Sequence, residues 1–176
     1  MRRLILVLLA LLPLAACDEP EVADFADHSP KLDFIDYFTG EVHAWGLFTD
    51  RFGTVRRQFT VVMNGRVENE KLVLTEDFTY DDGETEQRVW TVERANDGYV
   101  ATAPDVVGAA VGERAGNAVR FRYELNLPVD DDVWTVTADD WIYLQPGAEV
   151  ALNQATFSYW GIEVGRVNIA FRKVTN

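Results

Sequence analysis

From residue 32 onward, apolar and polar residues alternate along most of the chain. Val119, Phe121, Tyr123, Leu125 and Leu127 are separated by Arg120, Arg122, Glu124 and Asn126. Successive side chains of a strand point to opposite faces, so this period of two marks a strand with one buried and one wet face. Leu72, Leu74, Phe78 and Tyr80 share a face, opposite Lys71, Thr75, Asp77 and Thr79. Val55, Phe59, Val61 and Met63 repeat the scheme, as do Trp134, Val136, Ala138, Ile142 and Leu144, and then Val167, Ile169 and Phe171. Turn signals fall between these runs: Phe52-Gly53, Asn64-Gly65, Asp81-Asp82-Gly83, Asp97-Gly98, Asp130-Asp131-Asp132 and Pro146-Gly147. Asn-Gly and Asp-Gly supply the positive φ that tight hairpins need.

The pattern predicts an all-β domain of about eight or nine strands joined mostly by hairpins. No strand–helix–strand alternation points to a parallel sheet. An up-and-down antiparallel set of this size closes into a barrel, because closure removes exposed edges. A β-sandwich is the second architecture. The outward faces carry Arg and Glu, which argues against a lipid-spanning barrel. Lys31 to Phe38 reads as a short helix plugging or abutting the barrel. Asp105 to Ala118 breaks the alternation and carries Gly108, Gly112 and Gly116. It reads as a mobile connection or a lid, and it lacks the Lys-Ser/Thr of a phosphate loop.

The first 30 residues follow other rules. Arg2 and Arg3 precede an apolar run, Leu4 to Leu12, that is too short to span a bilayer. Leu14-Ala15-Ala16-Cys17 then resembles a bacterial lipobox, in which the cysteine is lipidated and becomes the mature N-terminus. The expected organisation is a signal peptide over 1–16, a lipidated N-terminus with an acidic tether over 17–30, and a barrel domain over 31–176. Asp18 after the cysteine resembles an inner-membrane retention signal, so the inner membrane is favoured over the outer. Cleavage removes two Arg and no acid, taking the net charge from -13 to -15. With Cys17 used as the anchor, no thiol is left for a disulfide or a metal.

A chain with 29 acidic and 16 basic residues repels phosphate, which excludes nucleic acid as a partner. The inventory is poor in catalytic types: His28 and His43, Ser29 and Ser158, and one Cys. It offers no zinc motif and no nucleophile beside a base, and no cofactor or metal is expected. Asp130 to Asp132 lacks the EF-hand spacing and reads as a solvated turn.

Strict alternation places three ionisable groups on buried faces: Arg57, Glu76 and Asp140. An unpaired buried charge costs several kcal/mol, so each must pair, bulge out or meet water. One reading makes them a polar patch in an apolar cavity, with the Arg57 guanidinium gripping an anionic head group. The other makes Arg57 and Glu76 an internal ion pair that sets strand register. Tyr123 and Trp45 complete the candidate ligand-binding set. Asp139 and Asp140 are adjacent and point to opposite faces, so they cannot form one acid–base pair. The chemistry favours binding over catalysis.

Several short motifs carry a family resemblance in their order and spacing. They are Trp45-Gly46 with Asp50-Arg51, Arg57 with Phe59, Phe78 with Tyr80 to Gly83, Arg88-Val89-Trp90, Asp105-Val106-Val107-Gly108, Gly116-Asn117-Ala118, and Asp139-Asp140-Trp141 with Tyr143. From about Phe34 to the end the chain resembles the bacterial DUF3833 lipoproteins, a family of unknown function in Gram-negative bacteria. Trp160-Gly161 departs from the family's Phe-Gly. The resemblance implies a lipocalin-like barrel and work on lipids, and it brings no catalytic residues. The expected function is a membrane-anchored, periplasm-facing lipoprotein that binds a fatty-acyl or lipid ligand. The alternative is an assembly module whose barrel is filled by its own side chains.

Overall fold

The computed structural model describes residues 19–129 and 132–175. The signal segment and Cys17 lie outside the described residues, as do Asp130 and Asp131. Ten strands follow one short helix: α1 (Phe34–Phe38), β1 (Gly40–Asp50), β2 (Val55–Glu68), β3 (Lys71–Tyr80), β4 (Thr85–Ala95), β5 (Gly98–Thr102), β6 (Val106–Ala115), β7 (Ala118–Val129), β8 (Asp132–Leu144), β9 (Val150–Tyr159) and β10 (Ile162–Lys173). Each strand pairs antiparallel with its chain neighbour, and β1 pairs with β10 to close the barrel. The up-and-down barrel is as expected, and the sandwich is excluded. The strand number is ten rather than eight or nine.

The difference lies at β5 and β6. The segment expected as a lid is a wall strand, with Val106 opposite Leu125 and Val111 opposite Arg122. A register shift between Val107 and Val111 absorbs Gly108, whose φ is 72°. The small residues that hide the alternation have a packing reason. A Cβ on Gly112 would sit 2.5 Å from the Phe121 ring, so glycine makes room for that ring.

Helix α1 closes one end. Asp33 accepts from the Asp36 N–H (3.1 Å) and is bridged by Arg94 and by Arg114 (2.9 Å). Burial raises the Asp33 carboxyl, but these hydrogen bonds and cations outweigh it and hold the group below its ordinary range. At the other end of the helix, the Lys173 ammonium donates to the carbonyls of Asp36, Tyr37 and Thr39 at 2.7–2.9 Å. A cation on the last carbonyls satisfies groups that the helix itself leaves open. Phe34 and Phe38 then pack inward against Tyr99, Phe121 and Phe171. The opposite end, at the β1–β2, β3–β4, β7–β8 and β9–β10 turns, carries no helix among the described residues.

The segment expected as a solvated tether is not free. Val22–Phe25 forms a 3-10 turn on the outer wall, with Val22 buried against Ala118 and Trp141. The Phe25 ring packs 5.7 Å from Trp141 and 5.3 Å from Tyr143. Two apolar residues within an acidic run are enough to dock it, and Gly116 gives its backbone room: a Cβ there would lie 1.7 Å from the Phe25 carbonyl oxygen.

Candidate functional site

The barrel encloses a cavity of about 470 Å³. That is enough for a small or single-chain ligand. The floor is Phe34 and Phe38 of α1 with Phe121 and Phe171, all buried side chains. The upper wall is apolar too, with Phe59, Phe78, Leu127 and Phe157 on inward positions of β2, β3, β7 and β9. A lip of stacked aromatics continues it to the mouth. Trp134 and Tyr159 lie 4.8 Å apart, and Tyr159 and Trp160 5.1 Å. Trp160 (88% exposed) and Phe52 (78%) project from the rim turns into solvent.

Between floor and mouth runs a polar belt. Glu76 on β3 sits directly opposite Arg88 on β4. Arg88 reaches Asp105 in the β5–β6 connection, Nη2 to Oδ2 at 2.9 Å, above a strand β5 of only five residues. The pair is close enough for Coulomb attraction but misaligned as a hydrogen bond. Arg88 Nε and Nη2 and Asp105 Oδ1 are therefore buried without a hydrogen-bond partner. Across the barrel, Asp140 on β8 accepts from Tyr123 Oη on β7 (3.2 Å) and from Asn153 Nδ2 on β9. Asn153 also donates to the Trp141 carbonyl at 2.9 Å, which fixes its amide. The Trp90 ring stands edge-on to Tyr123 (5.7 Å) and lies under the Arg88 guanidinium (4.4 Å).

Burial raises both carboxyls of the belt. Glu76 is pushed up to about 7, with the Arg88 charge and the Trp90 side chain offsetting part of the rise. Asp140 is pushed up to about 6, held down by its hydrogen bonds to Asn153 and Tyr123. Burial also drives the Tyr123 phenol well above its usual range, so it stays a neutral donor. Among the described residues, no group of three His, Cys, Asp or Glu side chains is arranged to hold a metal ion.

Glu76, Tyr123 and Asp140 thus meet in one belt, while Arg57 and Trp45 stand elsewhere. Arg57 faces inward but at the rim, where it stacks on Tyr80 (3.5 Å) and donates to Asp82 (3.0 Å) and Glu84. The expected Arg57–Glu76 pair is not formed. The residue opposite Glu76 is Met63, six positions along β2 from Arg57, or about 20 Å of strand. Arg57→Met should therefore leave the urea-unfolding midpoint close to that of the parent, as for an ion pair at the rim. A large drop in the midpoint would place that charge inside after all. Trp45 lies on the outer wall, 46% exposed, beside His43 and Arg172, because the inward positions of β1 are Val42, Ala44, Gly46 and Phe48. Asp139 and Asp140 do point to opposite faces. Asp139 holds buried Arg120 outside, at 2.5 Å.

Arg88, Asp105 and Asn153 were missed in the sequence. Arg88 alternates with Trp90 and Val92, so the rule that singled out Arg57 applied equally to it. Asn153 lies between Ala151 and Ala155 in the same way. Asp105 had no such signal, since it stands in a connection.

A family profile for a protein of unknown function, DUF3833, matches residues 11–173. The chain belongs to the DUF3833 family. No curated protein matches it. Solved structures also resemble the DUF3833 barrel. One is a protein of unknown function from the DUF3598 family of Nostoc punctiforme, with a TM-score of 0.57 and 12% identity over 83% of this chain. This DUF3833 chain spans only 51% of that protein. Another is the S-type phycobiliprotein lyase CPES of Guillardia theta, with a TM-score of 0.53 and 9% identity, covering 81% of this chain and 92% of the lyase. At such identities the likeness concerns the fold alone.

Proposed function

We propose that this DUF3833 protein is an envelope lipoprotein, anchored through Cys17 and facing the periplasm, whose lipocalin-like barrel holds a single-chain hydrophobic ligand. The observation that supports it is the cavity: about 470 Å³, apolar above and below, with one belt of incompletely satisfied polar groups. A barrel filled by its own side chains would leave no such volume. Polar atoms buried without partners cost stability unless something else meets them. The same fold serves a phycobiliprotein lyase, which fits a barrel that handles a ligand. The inner membrane is the favoured site, on the strength of Asp18. Because the chain from Val22 onward packs on the barrel wall, the slack between Cys17 and that wall is a few residues.

Two experiments test this reading. Lipid extraction and mass spectrometry of the native protein should release one amphiphilic species in near-stoichiometric amount. An extract no richer than a buffer blank, together with no uptake of alkyl probes, would refute ligand binding. Cys17→Ala should move the protein from the membrane to the soluble fraction, because the acyl chains supply the attachment at about 0.8 kcal/mol per buried CH₂. A mutant that stays on membranes through a high-salt wash would refute the anchor.

A further inference from the structure

The ligand-binding reading leaves the head group open, and the belt's charge balance addresses it. One cation, Arg88, faces three carboxyls from three different parts of the wall: Glu76 of β3, Asp105 of the β5–β6 connection and Asp140 of β8. Asp105 takes the Arg88 charge at 2.9 Å. Asp140 is met only by neutral donors, Tyr123 and Asn153. Glu76 lies beside Trp90 and shares the Arg88 charge with Asp105. Glu86 on β4 lies above the belt, where Tyr80 Oη donates to it at 2.9 Å. Arg57 is occupied at the rim by Asp82 and Glu84. The interior is therefore two carboxyls in excess of its cations. An anionic head group would raise that excess and could enter only with both acids protonated. A cationic one would cancel it.

We propose that the ligand of this barrel is a single-chain amphiphile with a protonated amine head, seated among Glu76, Asp105 and Asp140. The proposal rests on the ligand-binding reading and narrows it. The amine's N–H groups meet Glu76 and the unpartnered Asp105 Oδ1. Trp90 and Tyr123 flank the nitrogen with aromatic surface, which also favours a cation. The chain points away from the aromatic floor and runs toward the mouth past Phe78, Phe59, Leu127 and Phe157. From Glu76 to Tyr80 that path covers about 13 Å of strand.

The test uses probes with one tail and different heads. Dodecylamine, dodecanoate and dodecanol are titrated against the full chain carrying Cys17→Ala, with tryptophan fluorescence and melting temperature as readouts. The amine is expected to bind about tenfold or more tighter than either other probe at about pH 7.5, an affinity gap typical of one desolvated charge contact. Its affinity should fall several-fold at about pH 5, as Glu76 and Asp140 take up protons. Glu76→Gln and, separately, Asp105→Asn should each lose about tenfold for the amine, while a far-ultraviolet circular dichroism spectrum identical to the parent's shows the fold intact. Tightest binding of dodecanoate, strengthening as the pH falls, would overturn the amine while leaving the ligand-binding cavity standing. Binding of none of the three would overturn the ligand reading itself. Equal binding of all three would show a cavity that reads only the tail, and would also overturn the amine.

Discussion

Gly65→Ala should unseat α1 and lower the melting temperature by about 10 °C, equivalent to roughly 3–5 kcal/mol for a domain of this size. The cause is a close approach between backbones. A Cβ at position 65 would lie 1.8 Å from the Phe38 carbonyl oxygen, 2.8 Å from its carbon and 3.0 Å from Leu72 Cδ1. A side chain can swing away from such a clash, but the last turn of α1 cannot. It is held by Lys173 at its carbonyl end and by the Asp33 bridges at the other. The helix must shift, and with it Phe38, one of the most completely buried side chains of the core. The cup then becomes a tube. Chemical denaturation measures the loss, and faster release of a bound alkyl probe reports the opened floor. Stability within about 0.5 kcal/mol of the parent would show that α1 does not rest on Gly65.

The second large effect concerns pH. Stability should fall as the pH rises from about 4.5 to about 7, the reverse of ordinary acid denaturation. Glu76 is raised from 4.5 to about 7 in the folded protein, and Asp140 from 3.8 to about 6. Between each ordinary value and its folded value the native state binds more protons than the unfolded state, so the slope of unfolding free energy against pH is negative. The stabilising proton is present below the unfolded value and is lost as the pH passes the folded one. For Glu76 alone the change is about 2–4 kcal/mol. Asp33, Asp50 and Asp82 have lowered values and act with the opposite sign, but only below their ordinary value of 3.8. The two windows do not overlap, so the optimum lies near pH 4–5. Glu76→Gln keeps the shape and removes the charge. It should stabilise the ligand-free protein by about 2 kcal/mol or more at pH 8 and flatten the profile. Urea unfolding across pH measures both, and a Gln variant less stable than the parent at pH 8 would show that Arg88 depends on the Glu76 charge.

The antiparallel barrel was legible because its signal is local. A strand with one wet face writes its period of two into any ten residues, as in Val119 to Leu127, and Asn-Gly or Asp-Gly marks where it turns. The same rule put Glu76, Tyr123 and Asp140 on inward faces, where the structure holds them. It failed at Gly112, which makes space for the Phe121 ring and so carries no polarity contrast of its own. It failed again at Val22 and Phe25, too few apolar residues to form a period yet enough to dock on Trp141 and Tyr143.

By itself the sequence determined the class of fold, the inward alternation of β2, β3, β7, β8 and β10, and the family. Tertiary structure alone decided which inward residues share a level. Alternation states the face of a residue but not its height, and height follows from register, which neighbouring strands set together. Arg57 and Arg88 both alternate with apolar residues. Register lifts Arg57 to the rim beside Asp82 and sets Arg88 opposite Glu76 in the interior. Asp105 joins them because a five-residue strand brings the β5–β6 connection down to that height. The belt is therefore a product of barrel closure, in which distant segments meet across a space that no single stretch of sequence encodes.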